Sequence, residues 1–358
     1  MKHLAKKVFT ELELEERMEK PSQSIYDPYE YRKEIATLGY WDGLIHLVSS
    51  VLGGGILSGP YGFKRVGWVV GLIVSAIVMT LIVYSFRLLA RSINEICRRR
   101  RVPYMQFGRA TMECVIEGPD WVKRYRKSVS IYVSSFLVVF HFGVGIMYIE
   151  LVTESVKDII IYWLGYIDYK LVMLLLAPFI MAITMIKKLK SLVPISALAN
   201  ITVLISLAMI AYYMLDNATT VFSDLLMFND FTYIPLYIGL VLLSNSSLGV
   251  LLAIEAEMMD PARYLGPFGS LNVVFASLTI PHFDIIISLV ASVCLCILGI
   301  SLPGVMDMCL RYPDNYGPGR IAQVRDIFLI FFGVVACIAG IVNAGFSIYY
   351  RYTGEVHI

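Results

Sequence analysis

Charge is scarce in this chain. Asp, Glu, Lys and Arg make up 16% of its 358 residues, where a soluble domain carries about a quarter. The formal net charge is +2, too little for a basic nucleic-acid surface. Cysteine is equally uninformative. Cys97, Cys114, Cys294, Cys296, Cys309 and Cys337 fall outside every predicted external loop, which argues against a disulfide framework. None has zinc-ligand spacing. Gly53-Gly54-Gly55 lacks the Lys-Ser/Thr that completes a phosphate loop. No nucleophile–base pair or metal motif points to an enzyme, and no cofactor is implied. Residues 1–40 contain no apolar core, so no signal peptide is expected. They mix both signs of charge and read as a cytosolic N-terminal tail ahead of a membrane domain over 41–352.

Apolar sequence fills the rest. Hydrophobic residues make up 58% of the chain and the mean hydropathy is +0.69, which predicts an all-α, polytopic membrane protein. Nine membrane segments are expected: 43–61, 66–86, 129–152, 171–186, 192–214, 234–254, 268–282, 285–305 and 326–348. Their orientation follows from Lys and Arg. Arg98–Arg101 and Lys123–Lys127 lie between the second and third segments, Lys187–Lys190 between the fourth and fifth, and Arg311, Arg320 and Arg325 between the last two. Residues 215–233 carry Asp216, Asp224 and Asp230 without a Lys or Arg. This pattern puts the N-terminus in the cytosol. The arginine run reads as a topology signal, with an anionic-lipid site as the alternative. Asn217-Ala-Thr219 is a glycosylation sequon in a predicted external loop, whereas those at Asn200 and Asn245 lie within spans.

Two segments are interrupted. Gly53-Gly54-Gly55 breaks the first, closed by Pro60, and Ser244-Asn245-Ser246-Ser247 breaks the sixth. Hydrocarbon offers no hydrogen-bond partners, so unwound backbone at that depth must face protein or a wet cavity. Broken segments at matching positions in two halves point to a transporter's binding site. Free N–H groups at one half-helix start suit a carboxylate, and free carbonyls at the other end suit an ammonium. An amino acid zwitterion carries both. The competing reading of the glycines is close helix packing. His46 lies one to two turns before them. An imidazole there can carry a proton or simply bond a neighbouring helix. His141 has the same two readings. Glu150 and Glu154 sit near the outer end of the third segment, and Glu255 and Glu257 close the sixth as an inner gate or as ordinary interfacial carboxylates.

Leu44-Ile45-His46-Leu47 with Gly53–Leu57 resembles "LIHLLKGNIGTGIL" of the amino acid/auxin permease family, in its proton-coupled amino acid transporter branch. Pro60, Phe63-Lys64 and Gly67 continue the likeness. Gly249–Met258 is similar to "GVVLPLENEM", and Asp326–Gly333 to "KDIFLILFG". The resemblance runs from about 38 to 350. It implies a leucine-transporter-like inverted-repeat bundle that moves small neutral amino acids with protons, in the plasma or lysosomal membrane. Ser49, Ser50, Gly53, Gly54, Gly55, Ser244, Asn245, Ser246 and Ser247 would line the substrate site. His46 falls on the branch's proton-coupling histidine.

Three departures stand out. The family's "KGN" is Ser49-Ser50-Val51, and its acidic residue in the sixth-helix break aligns with Ser246. Gly269–Ile280 resembles the start of the seventh helix, yet Pro281-His282-Phe283-Asp284 resembles the run preceding the tenth. The end of the seventh helix and all of the eighth and ninth are absent, so the second repeat is incomplete. That fits a splice variant, a gene-model error or a paralogue that has lost transport. The alternative function is therefore a non-transporting isoform, acting as an amino acid sensor or a partner of a full-length transporter.

Overall fold

The computed structural model describes residues 26–32, 38–51, 59–184, 189–216, 226–229, 231–244 and 294–353. Among them the architecture is all-helical, as expected of a polytopic membrane protein. Two helices of the first predicted segment are described, α1 (Tyr40–Val51) and α2 (Gly59–Val66); residues 52–58 between them lie outside the described residues. Then come α3 (Trp68–Arg100), α4 (Phe107–Glu117), the single turn α5 (Asp120–Lys123), α6 (Arg126–Leu164), α7 (Tyr169–Thr184), α8 (Leu189–Asp216) and α9 (Ile234–Ser244). A π-helical stretch, Cys296–Ser301, leads into α10 (Leu302–Arg311), and α11 spans Ile321–Thr353.

Four helical stretches are long and apolar enough to cross a membrane: Trp68–Arg100, Arg126–Leu164, Leu189–Tyr213 and Pro318–Val342. Helix α3 is the centre of the bundle and touches α2, α4, α9, α10 and the π stretch. Its buried side includes Val78, Ile82, Phe86, Leu89, Ile93 and Ile96, the spacing of one helical face. Gly333 of α11 lets the π stretch approach, since a β-carbon there would meet the Cys296 carbonyl at 2.7 Å. Helix α8 is the opposite case. No residue of its apolar window is buried, and its packing partner is α1.

The corner between α2 and α3 is held by residues 226–229. Trp68 and Val69 donate backbone N–H groups to the Leu226 and Met227 carbonyls, and the Asn229 side chain donates to Lys64. Gly67 has φ 88° and Met227 O would lie 2.6 Å from an added β-carbon, so both conformation and space require glycine.

Two expectations change. Residues 87–127, which the hydropathy pattern leaves as a connection between the second and third segments, are largely helical. Helix α3 runs on to Arg100, and α4 and α5 follow. Three arginines of the run are consumed within this helical layer. Arg98 pairs with Glu95, Arg99 with Glu95 and Glu117, and Arg100 with Glu113 and Glu117. Arg99 also donates to the Leu310 carbonyl of α10 at 3.0 Å. Single exposed pairs contribute little, but this web ties α4 and α10 to the end of α3. Secondly, α6 has 39 residues and is about 58 Å long, nearly twice the hydrocarbon thickness. Its apolar stretch ends before Glu150, and Glu150, Glu154, Lys157 and Asp158 continue the helix towards Leu164.

Candidate functional site

The site is built where α1 meets α8. His46 is 6% exposed, and its ring is held from both sides by α8. Nε2 lies 2.9 Å from the Leu189 carbonyl and Nδ1 lies 3.1 Å from Ser196 Oγ. A carbonyl can only accept, so Nε2 carries a hydrogen. A neutral ring then accepts at Nδ1 from the Ser196 hydroxyl. A protonated ring donates at Nδ1, and the hydroxyl need only rotate to accept. One heavy-atom geometry thus serves both protonation states. Asn200, one turn beyond Ser196, donates from Nδ2 to the Ile45 carbonyl at 3.0 Å.

Ser196 and Asn200 were not singled out from the sequence as site residues. The signal was available. Leu189, Ser196 and Asn200 recur at spacings of seven and four, on one face of a helix. What the sequence did not show was which helix that face meets.

The other first-segment residues are placed as follows. Ser49 and Ser50 are half-buried on α1, and Ser50 Oγ bonds the Leu47 carbonyl of its own helix at 2.7 Å. Gly53, Gly54 and Gly55 lie outside the described residues. Ser244 is the last residue of α9, while Asn245, Ser246, Ser247, Glu255, Glu257 and Asn217 lie outside the described residues. His141 is exposed on α6, with Nδ1 2.8 Å from the Leu137 carbonyl of its own helix.

Described helices of the first and sixth predicted segments do meet. Helix α2 packs on α9. The rings of Phe63 and Tyr237 are 5.7 Å apart, edge to face. A β-carbon on Gly62 would lie 2.6 Å from Tyr237 Cε2 and closer still to Cδ2. Tyr237 is in turn hydrogen-bonded to Ser75 of α3 at 2.6 Å, both side chains buried. The halves of the first segment therefore have different partners, α8 for α1 and α3 with α9 for α2.

A second buried polar cluster ties α10 to α11. Asp307 pairs with Arg311 and Arg325, and Arg325 also pairs with Asp326 and lies over the Tyr84 ring of α3. Asp326 is fully buried, and its Oδ2 has no hydrogen-bond partner among the described residues. All six cysteines are unpaired and buried. Among the described residues no group of three or more His, Cys, Asp or Glu could hold a metal ion.

Four helical stretches long and apolar enough to cross a membrane define a polytopic membrane protein. The profile of the family described as "Transmembrane amino acid transporter protein" matches residues 36–280, and the chain belongs to that family. It is 23% identical over 264 residues to the "Proton-coupled amino acid transporter-like protein pathetic" of Drosophila melanogaster. That match covers 71% of this chain and 54% of the fly protein, so the chain spans about half the length of this curated relative. No solved structure matches.

Proposed function

We propose that this chain is a secondary carrier that moves small neutral amino acids together with protons. The observation that carries the reading is His46, on α1 where it packs against α8, with a hydrogen-bonding partner at each ring nitrogen. Membership of an amino acid transporter family supports the substrate class, and the printed name of the fly relative supports the coupling. In this reading His46 is the proton carrier. Ser49, Ser50 and Gly53–Gly55 line the amino acid site from the first segment, and Ser244–Ser247 from the sixth. Glu255 and Glu257 form an inner gate. The contact of α2 with α9 supports a site between the two interrupted segments, in an inverted-repeat bundle of the leucine-transporter kind with about nine segments. The 1–40 tail is cytosolic, the 41–352 domain lies in the plasma or lysosomal membrane, and Asn217 is the glycan acceptor.

A second reading has its own observation. The family match ends at residue 280, next to Pro281 where the sequence jumps towards the tenth helix, and the chain spans 54% of its relative. A chain lacking that scaffold would bind an amino acid without moving it, as a sensor or as a partner of a longer relative.

Labelled alanine and proline accumulation in proteoliposomes under an inward proton gradient separates the two. The carrier reading expects accumulation that collapses with the gradient and loses its pH dependence in His46→Ala. Uptake only by a version given a relative's seventh-to-ninth helices would overturn that reading for this chain and favour the second.

A further inference from the structure

The basic residues between α3 and α6 are paired or unpaired; Arg101 and Arg109 are exposed and unpaired among the described residues but lie apart in sequence from the cluster at the start of α6. Arg98, Arg99 and Arg100 are spent on Glu95, Glu113 and Glu117. Arg124, Arg126 and Lys127 are exposed and make no ion pair among the described residues. Lys123 pairs with Asp120, which neutralises that corner. Two large aromatic side chains stand among the free cations, Trp121 at 73% exposed and Tyr125 at 57%.

The patch has a fixed place. Arg126 and Lys127 open α6, which enters its apolar stretch directly after them. Tyr125, with φ −94° and ψ 4°, breaks the path between α5 and α6, so the Trp121 end turns off the α6 axis. The three cations and two aromatics therefore sit at the water-facing boundary of a membrane crossing. Trp and Tyr settle at headgroup level because one end of each is apolar and the other polar. Lys and Arg beside a membrane surface are drawn to anionic lipid. No fold-internal role accounts for them. The arginines that hold the α3–α4 layer are the paired ones.

We propose that Trp121, Arg124, Tyr125, Arg126 and Lys127 form a binding site for anionic phospholipid headgroups of the leaflet on that face. On the orientation proposed above this is the cytosolic leaflet, the one rich in such lipids. The cations hold the phosphate groups, and the aromatic rings anchor the patch at their depth. The inference does not depend on whether the chain transports.

The test is anisotropy of a fluorescent short-chain phosphatidylinositol bisphosphate titrated with the full chain in neutral detergent, where orientation has no influence. Wild type should bind more weakly as salt rises. Each cation near a charged surface contributes roughly a fivefold factor, so Arg124→Gln, Arg126→Gln and Lys127→Gln combined should weaken binding roughly a hundredfold. Arg98→Gln, taken from the paired set, should leave binding as it was. Should the triple variant aggregate, Arg124→Gln and Lys127→Gln singly should each weaken binding about fivefold. Triple or single variants that bind like wild type overturn the proposal. So does an Arg98→Gln loss as large as the triple variant's, or displacement of the probe by phosphatidylcholine as readily as by phosphatidylserine. A soluble inositol phosphate that binds as tightly as the lipid reassigns the site to free phosphate and overturns the lipid assignment.

Discussion

Gly62→Ala adds one methyl group where α2 meets α9, and the result should be out of proportion to its size. The new carbon would sit 2.6 Å from Tyr237 Cε2, against about 3.5–4 Å for ordinary carbon contact. The ring must retreat by about 1 Å, and Tyr237 is buried, 3% exposed. Overpacking of this kind costs about 1–3 kcal/mol. The displaced ring also pulls its hydroxyl from Ser75, and stranding a buried hydroxyl costs about 1–3 kcal/mol more. A destabilisation of about 2–6 kcal/mol follows. Thermal unfolding of the detergent-solubilised chain, read as loss of the monodisperse peak in size-exclusion chromatography, measures it. Tyr237→Phe should show the hydroxyl share alone. Tyr237→Leu removes the ring, and in that background Gly62→Ala should lose most of its effect, a coupling that a double-mutant cycle isolates. If Gly62→Ala unfolds with wild type, or costs as much without the ring as with it, α2 and α9 are not packed in this way.

Three further outcomes follow from the same packing. Ser196→Ala removes the His46 Nδ1 partner while leaving Leu189 in place. It should cost about 1 kcal/mol in stability and displace the pH profile of uptake, whereas Asn200→Ala should lower stability without moving that profile. Arg325→Ala leaves Asp326 buried without its cation, an arrangement that costs about 3–5 kcal/mol, and unfolding in denaturant should show it. Burial, with Cys309 and Cys97 close by, pushes the Cys114 thiol well above its ordinary range. The folded chain keeps that proton above about pH 8.5, where the unfolded thiol ionises. Stability contributed by the neutral thiol is therefore fully present below that pH and lost progressively above it, as pH rises towards the raised folded value. Cys114 should resist alkylation until the chain unfolds, as peptide mapping after pulse labelling would read.

Much of the bundle was legible because the membrane imposes it. Segment 66–86 falls on α3 but for its first two residues, and 192–214 lies within α8, because a crossing helix must be long and apolar. The helical layer after residue 86 was missed for the converse reason. Arg98–Arg101 look like loop charge in a hydropathy count, yet each of Arg98, Arg99 and Arg100 finds a glutamate on α3 or α4. Charge pairing across helices leaves no periodic trace in one chain. His46 was legible as a candidate because a histidine one to two turns before Gly53-Gly54-Gly55 is chemically conspicuous, and the structure adds its partners on α8. Ser196 and Asn200 were not, since a serine and an asparagine in an apolar helix look alike whether they face lipid, packing or a functional ring. Gly62 was silent too. A lone glycine in a helix announces a close approach without naming Tyr237, 175 positions further along, as the ring it admits.

The central claim is that proton and amino acid movement are one process through His46. The direct measurement is internal pH in proteoliposomes of this chain, with a trapped pH dye and no gradient imposed, when alanine is added outside. Coupled carriage predicts that alanine alone acidifies the lumen, and that His46→Ala abolishes the acidification. Alanine entry without acidification, or acidification that persists in His46→Ala, would contradict the account.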